Sequence, residues 1–173
     1  SELLDRISKG GTLPMFTSCC PAWVKYMEQT YPELLPHLSS CKSPQQMAGA
    51  IFKSYGAEIN EVNPAEIYSV AVMPCTCKEF ESQREEMNWK GYRNVDVVIT
   101  TRELAYLIKD QDIDFKSLCD EKFDHVLGVY SGAGTIFGST GGVMEAALRT
   151  GYELYTKKSI PKIELTDIRG EEG

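Results

Sequence analysis

The sequence predicts an α/β fold, three layers (α/β/α) around a mostly parallel sheet, and three observations predict it. Two nearly continuous apolar runs, IYSVAVM at 67–73 and VDVVIT at 95–100, read as strands covered on both faces, the pattern of a parallel sheet. Segments with helical spacing and recognisable caps lie before, between and after them, so strands alternate with helices. The chain has 173 residues, 42% hydrophobic and 25% charged, enough to bury a core as a single domain over 1–173. It contains no internal repeat, low-complexity tract or interdomain linker.

The elements follow in order. SELLDRISK at 1–9 reads as the end of a helix with Leu3, Leu4 and Ile7 on one face, stopped by Gly10-Gly11. Opening inside a helix suggests a chain cut from something longer. TLPMFTS reads as a short strand leading to Cys19 and Cys20. Pro21 suits a first helical position, giving a helix to about Thr30 with Val24, Met27 and Tyr31 turned inward. Ser43-Pro44-Gln45-Gln46 starts another helix, with Ser43 as cap and Gln46 reaching back as in a capping box. Met47, Ile51 and Tyr55 form its stripe, and Gly56 is its stop. After VDVVIT, Thr100 and Glu103 cap a helix whose Leu104, Leu107 and Ile108 face the core. A last helix runs from Gly142 to about Tyr155 with Met144, Ala147, Leu148 and Gly151 on one side, and IELTDIR at 163–169 closes the sheet.

Charge and hydropathy exclude two classes of function. Eighteen basic residues against 25 acidic give a net charge of −7, and no basic stripe for nucleic acid is present. No apolar run approaches the roughly 20 residues that span a bilayer, and no signal segment opens the chain.

Six cysteines carry the chemistry. An even count is compatible with disulfides, but Cys19-Cys20 are adjacent and Cys75 and Cys77 are one residue apart. Clustered thiolates suit zinc or iron–sulfur chemistry better than strained short rings. Thr17-Ser18-Cys19-Cys20-Pro21 places two thiols before a helix, where unpaired N–H groups and the dipole favour thiolate; the plainer alternative is one packing thiol and one idle surface group. Met73-Pro74-Cys75-Thr76-Cys77-Lys78-Glu79-Phe80-Glu81 also follows a strand. Cys20 and Cys75 are therefore expected at one sheet edge and in one crevice. Lys78 stands there as a donor beside anionic ligands, or as a solvated pair with Glu81 or Glu79. Cys41 and Cys119 read as packing thiols, and His37 and His125 as surface or loop residues. The glycine-rich run 131–142 permits close approach of backbone to a ligand, but its spacing departs from a dinucleotide fingerprint.

TSCCPAW at 17–23, MPCTCKEFE at 73–81 and YSGAGTIFGSTGGVMEAALR at 130–149 together resemble the catalytic domain of iron–iron hydrogenases. LSSCKSPQQ at 38–46 and DVVITTREL at 96–104 extend the resemblance over nearly the whole chain. It implies one lobe of a two-lobed domain that carries the H-cluster, a 4Fe-4S cubane joined through a cysteine sulfur to a two-iron subcluster with CO, cyanide and a bridging dithiolate amine. On this resemblance Cys20 and Cys75 match two of the four cubane cysteines. Cys19 matches the thiol that passes protons to and from the bridging amine. Lys78 matches the lysine that hydrogen-bonds a cyanide. Met73, Pro44, Gln45 and Phe137 match residues packed round the cluster, with Ser43 beside them, and Glu2, Ser39 and Arg6 match members of the proton route.

The resemblance also implies what the chain does not supply: the motif with the other two cubane cysteines, the rest of the catalytic domain and any ferredoxin-like domain. Two thiolates cannot replace four, so the expectation is a chain that alone binds no H-cluster and turns over no hydrogen. The implied partners are the remainder of the catalytic domain, a ferredoxin-like electron donor or acceptor, H2 and protons, with self-association through surface left uncovered. The implied location is cytoplasmic, the family also reaching the periplasm. Relatives in iron–sulfur protein assembly usually lack the Cys19 thiol, which favours the hydrogen-metabolising branch. The alternative is a zinc or iron–sulfur module built on Cys19, Cys20, Cys75 and Cys77, or an iron–sulfur assembly relative.

Overall fold

The computed structural model describes residues 2–124 and 132–162, which belong to two compact units, Pro14–Leu127 and Ser1–Leu13 with Gly128–Gly173. In the first, the expected strand before Cys19 reduces to a single parallel bridge between Phe16 and Leu38. Its bonds run from Phe16 N to His37 O and from Ser39 N to Phe16 O, each 2.8 Å. Pro14 has no N–H to donate, so a longer ladder on that side is blocked. Helix α2 (Pro21–Thr30) starts on Pro21 as its sequence predicts. Met27, 1% exposed, anchors it in the core, Val24 is half-buried, and Tyr31 is exposed instead of inward.

Helix α3 (Pro44–Ile51) also starts on its proline, but Ser43 makes no capping bond and Gln46 completes no capping box. Nor does Gly56 end it. At φ −61° it is helical, and the chain continues through a π-helical turn, Phe52–Gly56, into α4 (Ala57–Ile59). The expected stripe is turned outward: Met47, Ile51 and Tyr55 are exposed, while Gln45, Gln46, Gly49 and Lys53 are buried. Gly49 explains part of this inversion. A Cβ there would lie 2.0 Å from the Asn94 carbonyl oxygen, so only glycine lets this face seat on the chain entering the sheet.

Strand β1 (Val70–Met73) leads into α5 (Cys77–Ser82), followed by the hairpin β2 (Asn88–Trp89) and β3 (Tyr92–Arg93). Strand β4 (Val97–Thr100) then pairs in parallel with β1, Val70 opposite Val97 and Met73 opposite Thr100. Parallel pairing is as the apolar runs predict. Coverage of both faces is not, because Val70 and Val72 are exposed while Val98 is buried. Thr100 and Glu103 form the expected capping box of α6 (Thr101–Asp110), in which Leu104 and Ile108 are half-buried and Leu107 is exposed. Helices α5 and α6 pack on β4.

In the other unit α1 (Glu2–Lys9) ends at Gly10, whose φ of +73° favours glycine. Helices α7 (Gly132–Ile136) and α8 (Gly142–Thr156) pack together, and α1 packs on α8. Gly142 and Ala146 are the buried residues of α8, whereas Met144, Ala147 and Leu148 are exposed and Gly151 is half-buried. A Cβ at Gly142 would meet the Ile136 carbonyl oxygen at 1.7 Å, so the turn selects the face through glycine, not through apolar spacing. The closing strand expected at 163–169 and His125 lie outside the described residues.

Helices α2 and α5 are tied at their far ends. Arg84 donates to both carboxylate oxygens of Glu28, at 2.5 and 3.1 Å, and Lys25 stands 5.6 Å from the Phe80 ring centroid. The Arg84 hydrogen bond holds the Glu28 carboxyl below its usual range. A carboxyl lowered by folding stabilises above its unfolded pKa, about 4.3, and that contribution is lost as pH falls through the folded value. The urea midpoint is therefore expected to drop below about pH 5, with a flatter profile in Glu28→Gln. The difference should stay under about 1 kcal/mol, since the pair is partly solvated.

Candidate metal centre

Both cysteine pairs stand at helix starts. Cys20 is the N-cap of α2 in extended conformation (φ −98°, ψ 112°), and Cys77 opens α5 two residues after Cys75. All six cysteines are unbridged thiols. The Cys77 thiol is raised above its ordinary pKa first by a hydrogen bond with Cys75, then by that thiol's charge, by burial and by the charge of Cys20. The two motifs open helices that pack on each other, α2 and α5. The route differs from a common sheet edge: Cys75 follows β1, but Cys20 follows the bridged segment at Phe16. Among the described residues no three His, Cys, Asp or Glu side chains are placed to hold a metal ion.

Lys78 lies on the first turn of α5. Its ammonium donates to the Cys19 carbonyl at 2.5 Å and lies 3.5 Å from Glu81 Oε2. Glu81 is 3% exposed, so this is not a solvated surface pair. Ser43 Oγ and Gln45 Nε2 each donate to the same Oε2 at 2.7 Å, and Gln45 Nε2 also donates to the Lys78 carbonyl at 3.0 Å. Ser43 has left its own helix uncapped to make this bond. Pro44 is exposed beside it, and Met73 is half-buried at the end of β1. Gln45 and Met73 border one cavity of about 180 Å³ with Ala48, Ala71 and Val95.

Ser39 is half-buried, and its hydroxyl accepts from Cys41 N at 3.1 Å, while Ser18 Oγ donates to the Cys41 carbonyl at 2.6 Å. Ser18, Ser39, Ser43 and Glu81 line a second cavity, of about 210 Å³, beneath Pro21. Cys41 and Cys119 are exposed, not packing thiols. His37 is half-buried, with Nδ1 at 2.8 Å from the Pro14 carbonyl oxygen. Glu2, Arg6 and Phe137 belong to the other unit. There Arg6 donates to Glu2 Oε1 from Nε and Nη2, at 3.1 and 2.6 Å, and from Nη1 to the Thr12 carbonyl; Phe137 is exposed. Cys19, Cys20, Ser39, Ser43, Gln45, Met73, Cys75 and Lys78 share the first unit. Glu81 and Ser18 are the residues that sequence reasoning left out of the site. The spacing Cys75–Lys78–Glu81, three residues each, carried the signal for Glu81, since it sets one side chain above another on a helix.

Comparison with known proteins places the chain in a family. The chain is 50% identical over its whole length to the periplasmic Fe hydrogenase large subunit of Nitratidesulfovibrio vulgaris, covering 42% of that protein. It superposes on a variant of apo FeFe-hydrogenase HydA1 from Chlamydomonas reinhardtii with a TM-score of 0.82 at 46% identity, covering 99% of this chain and 44% of that one. The cytosolic Fe-S cluster assembly factor NAR1 of Yarrowia lipolytica is 38% identical over 66% of this chain and 24% of its own length. The hydrogenase likeness is both higher and longer. The chain spans less than half the length of the curated relatives it matches. From residue 1 to residue 173 it matches the family described as iron only hydrogenase large subunit, C-terminal domain, and it belongs to that family.

Proposed function

We propose that this chain is the part of an iron–iron hydrogenase catalytic domain that supplies half of the thiolates for a 4Fe-4S cubane and the thiol that feeds protons to a two-iron subcluster. The whole protein, on this reading, catalyses reversible H2 oxidation and proton reduction. The observation that carries the reading is the packing of α2 on α5, whose starts carry the Cys19-Cys20 and Cys75-Cys77 motifs, with the Lys78 ammonium anchored on the Cys19 carbonyl. The donor set fits: thiolates suit iron, and a buried ammonium suits anionic ligands. Cys20 and Cys75 would hold the cubane, and Cys77 stands beside them without being a ligand. When bound, the iron group supplies the redox chemistry and the site at which H2 is split or formed.

The remaining roles belong to this chain's own residues. Lys78 holds a positive charge at a fixed place and would donate to a cyanide of the two-iron unit. Met73, Pro44 and Gln45, within one unit, would pack round the group and keep water out, a role that the resemblance alone extends to Phe137. Cys19 accepts and releases a proton and Ser39 carries it on; the Glu2 carboxylate, steadied by Arg6 within the other unit, has its part in the route from the resemblance alone. The partners are the remainder of the catalytic domain and a ferredoxin-like electron carrier, in a cytoplasmic enzyme. Among the described residues no helix is long and apolar enough to cross a membrane.

Anaerobic reconstitution tests the reading. Together with the rest of the catalytic domain, iron and sulfide should give about four irons per complex, and hydrogen evolution should appear once a synthetic two-iron complex is added. The chain alone should hold no tightly bound metal and evolve no hydrogen. Retention of about one equivalent of zinc or one cluster by the isolated chain would instead establish the four-thiolate module.

A further inference from the structure

Glu81 has more partners than a helix-surface carboxylate needs. A buried carboxylate is unfavourable unless donors meet its lone pairs. Here Ser43 Oγ and Gln45 Nε2, both at 2.7 Å, and Lys78 Nζ, at 3.5 Å, converge on the single atom Oε2. Two local costs accompany that convergence. Ser43 is the N-cap of α3, yet its hydroxyl makes no capping bond. Gln45 turns its Nε2 to Glu81 and to the Lys78 carbonyl, which leaves Oε1 buried and without a hydrogen-bond partner among the described residues. An amide facing a carboxylate oxygen must present its nitrogen, so Glu81, together with the Lys78 carbonyl, sets which end of Gln45 remains unmet. A staple between α3 and α5 would not require the first of these costs, since the Gln45 bond to the Lys78 carbonyl already joins the two helices without diverting Ser43 from its cap.

We infer that Glu81 is a positioning residue of the candidate centre. Its carboxylate holds the Lys78 ammonium against the Cys19 carbonyl and fixes the Gln45 amide with its oxygen left for a ligand. The inference rests on the reading above, in which Lys78 and Gln45 border an iron group, and it adds the residue that sets their orientation.

The test uses the complete catalytic domain carrying this chain, with Glu81→Gln and Glu81→Asp. In the metal-free protein, reductive methylation of Lys78, followed by peptide mass spectrometry, is expected to be at least about tenfold faster in Glu81→Gln, the factor given by losing one charge-assisted hydrogen bond. Other lysines should be unchanged, and Glu81→Asp should recover part of the protection. After loading with the four-iron cluster and a synthetic two-iron complex, the cyanide stretching bands of Glu81→Gln should shift and broaden at unchanged iron content. A Glu81→Gln protein that is only less heat-stable, with wild-type Lys78 methylation and wild-type cyanide bands, overturns the inference. Should Glu81→Gln not fold, Glu81→Asp decides on the same two readouts. A wild-type protein that accepts no iron overturns the hydrogenase reading instead. The methylation contrast needs no metal and would still identify Glu81 as the group that places Lys78.

Discussion

Cys19→Ser is expected to leave iron content unchanged and to lower hydrogen turnover by about 10²–10⁴-fold, the usual contribution of a positioned proton donor and acceptor. The expectation follows from how the two adjacent thiols differ. Cys20 is exposed at the cap of α2, which packs on the helix that follows Cys75. Cys19 is half-buried and its backbone carbonyl accepts from the Lys78 ammonium, which anchors the residue. A serine hydroxyl keeps nearly the same shape but is far too weak an acid to exchange a proton near neutral pH, where a thiol can. Cys20→Ser and Cys75→Ser should fail differently, by losing iron during anaerobic reconstitution before any assay of turnover. Iron analysis and hydrogen evolution on the same samples separate the two kinds of failure. Equal loss of iron in all three variants would show that Cys19 is a ligand or a packing residue.

The parts of the molecule that read correctly from sequence are those governed by local chemistry. Pro21 and Pro44 start helices because a missing N–H costs nothing at a first turn, and Thr100 with Glu103 caps α6 through bonds made within four residues. The thiol motifs and Lys78 are legible for the same reason, being read from neighbours in the chain. Helix α3 is not legible in this way. Apolar spacing assigns Met47, Ile51 and Tyr55 to the core, yet the face that is buried carries Gln45, Gln46, Gly49 and Lys53. That choice is made by partners 33 to 43 residues away, Lys78, Glu81 and Asp96, and no local pattern contains them. A polar stripe punctuated by glycine, at 45, 49, 53 and 56, was the available signal. It contradicts the hydrophobic stripe, and such conflicts mark places where function or a close approach overrides packing. The π-helical turn at Phe52–Gly56 is invisible for a related reason, since one extra residue in a turn is selected by what the side chains beyond it must reach.

Lys53 is what that turn delivers, and Lys53→Met should be the most destabilising conservative change in the larger unit. The Lys53 ammonium lies 2.7 and 2.8 Å from the two carboxylate oxygens of Asp96, with the lysine side chain 4% exposed and the aspartate 19%. Asp96 also accepts from Ser69 N at 2.7 Å, and its own N donates to the Ser69 carbonyl at 2.9 Å. The pair therefore pins the helical segment to the entrances of both β1 and β4. A methionine fills much of the volume but leaves the carboxylate without its counter-charge, a change worth about 3–5 kcal/mol for buried pairs. Solvent on one side of Asp96 places the expected loss near the lower figure, about 3 kcal/mol, still a large share of a domain stability of roughly 5–15 kcal/mol. Lys53→Met/Asp96→Asn should restore at least half of it, because the amide carries no charge and still accepts from Ser69. Urea unfolding of the two single variants and the double variant measures the coupling directly. Because β1 ends in Met73 and runs on to Cys75, retention of the cubane should weaken in step with stability in Lys53→Met and return in the double variant. A single variant that loses less than about 1 kcal/mol would mean that water already reaches this pair, and that the π-helical turn is held by packing alone.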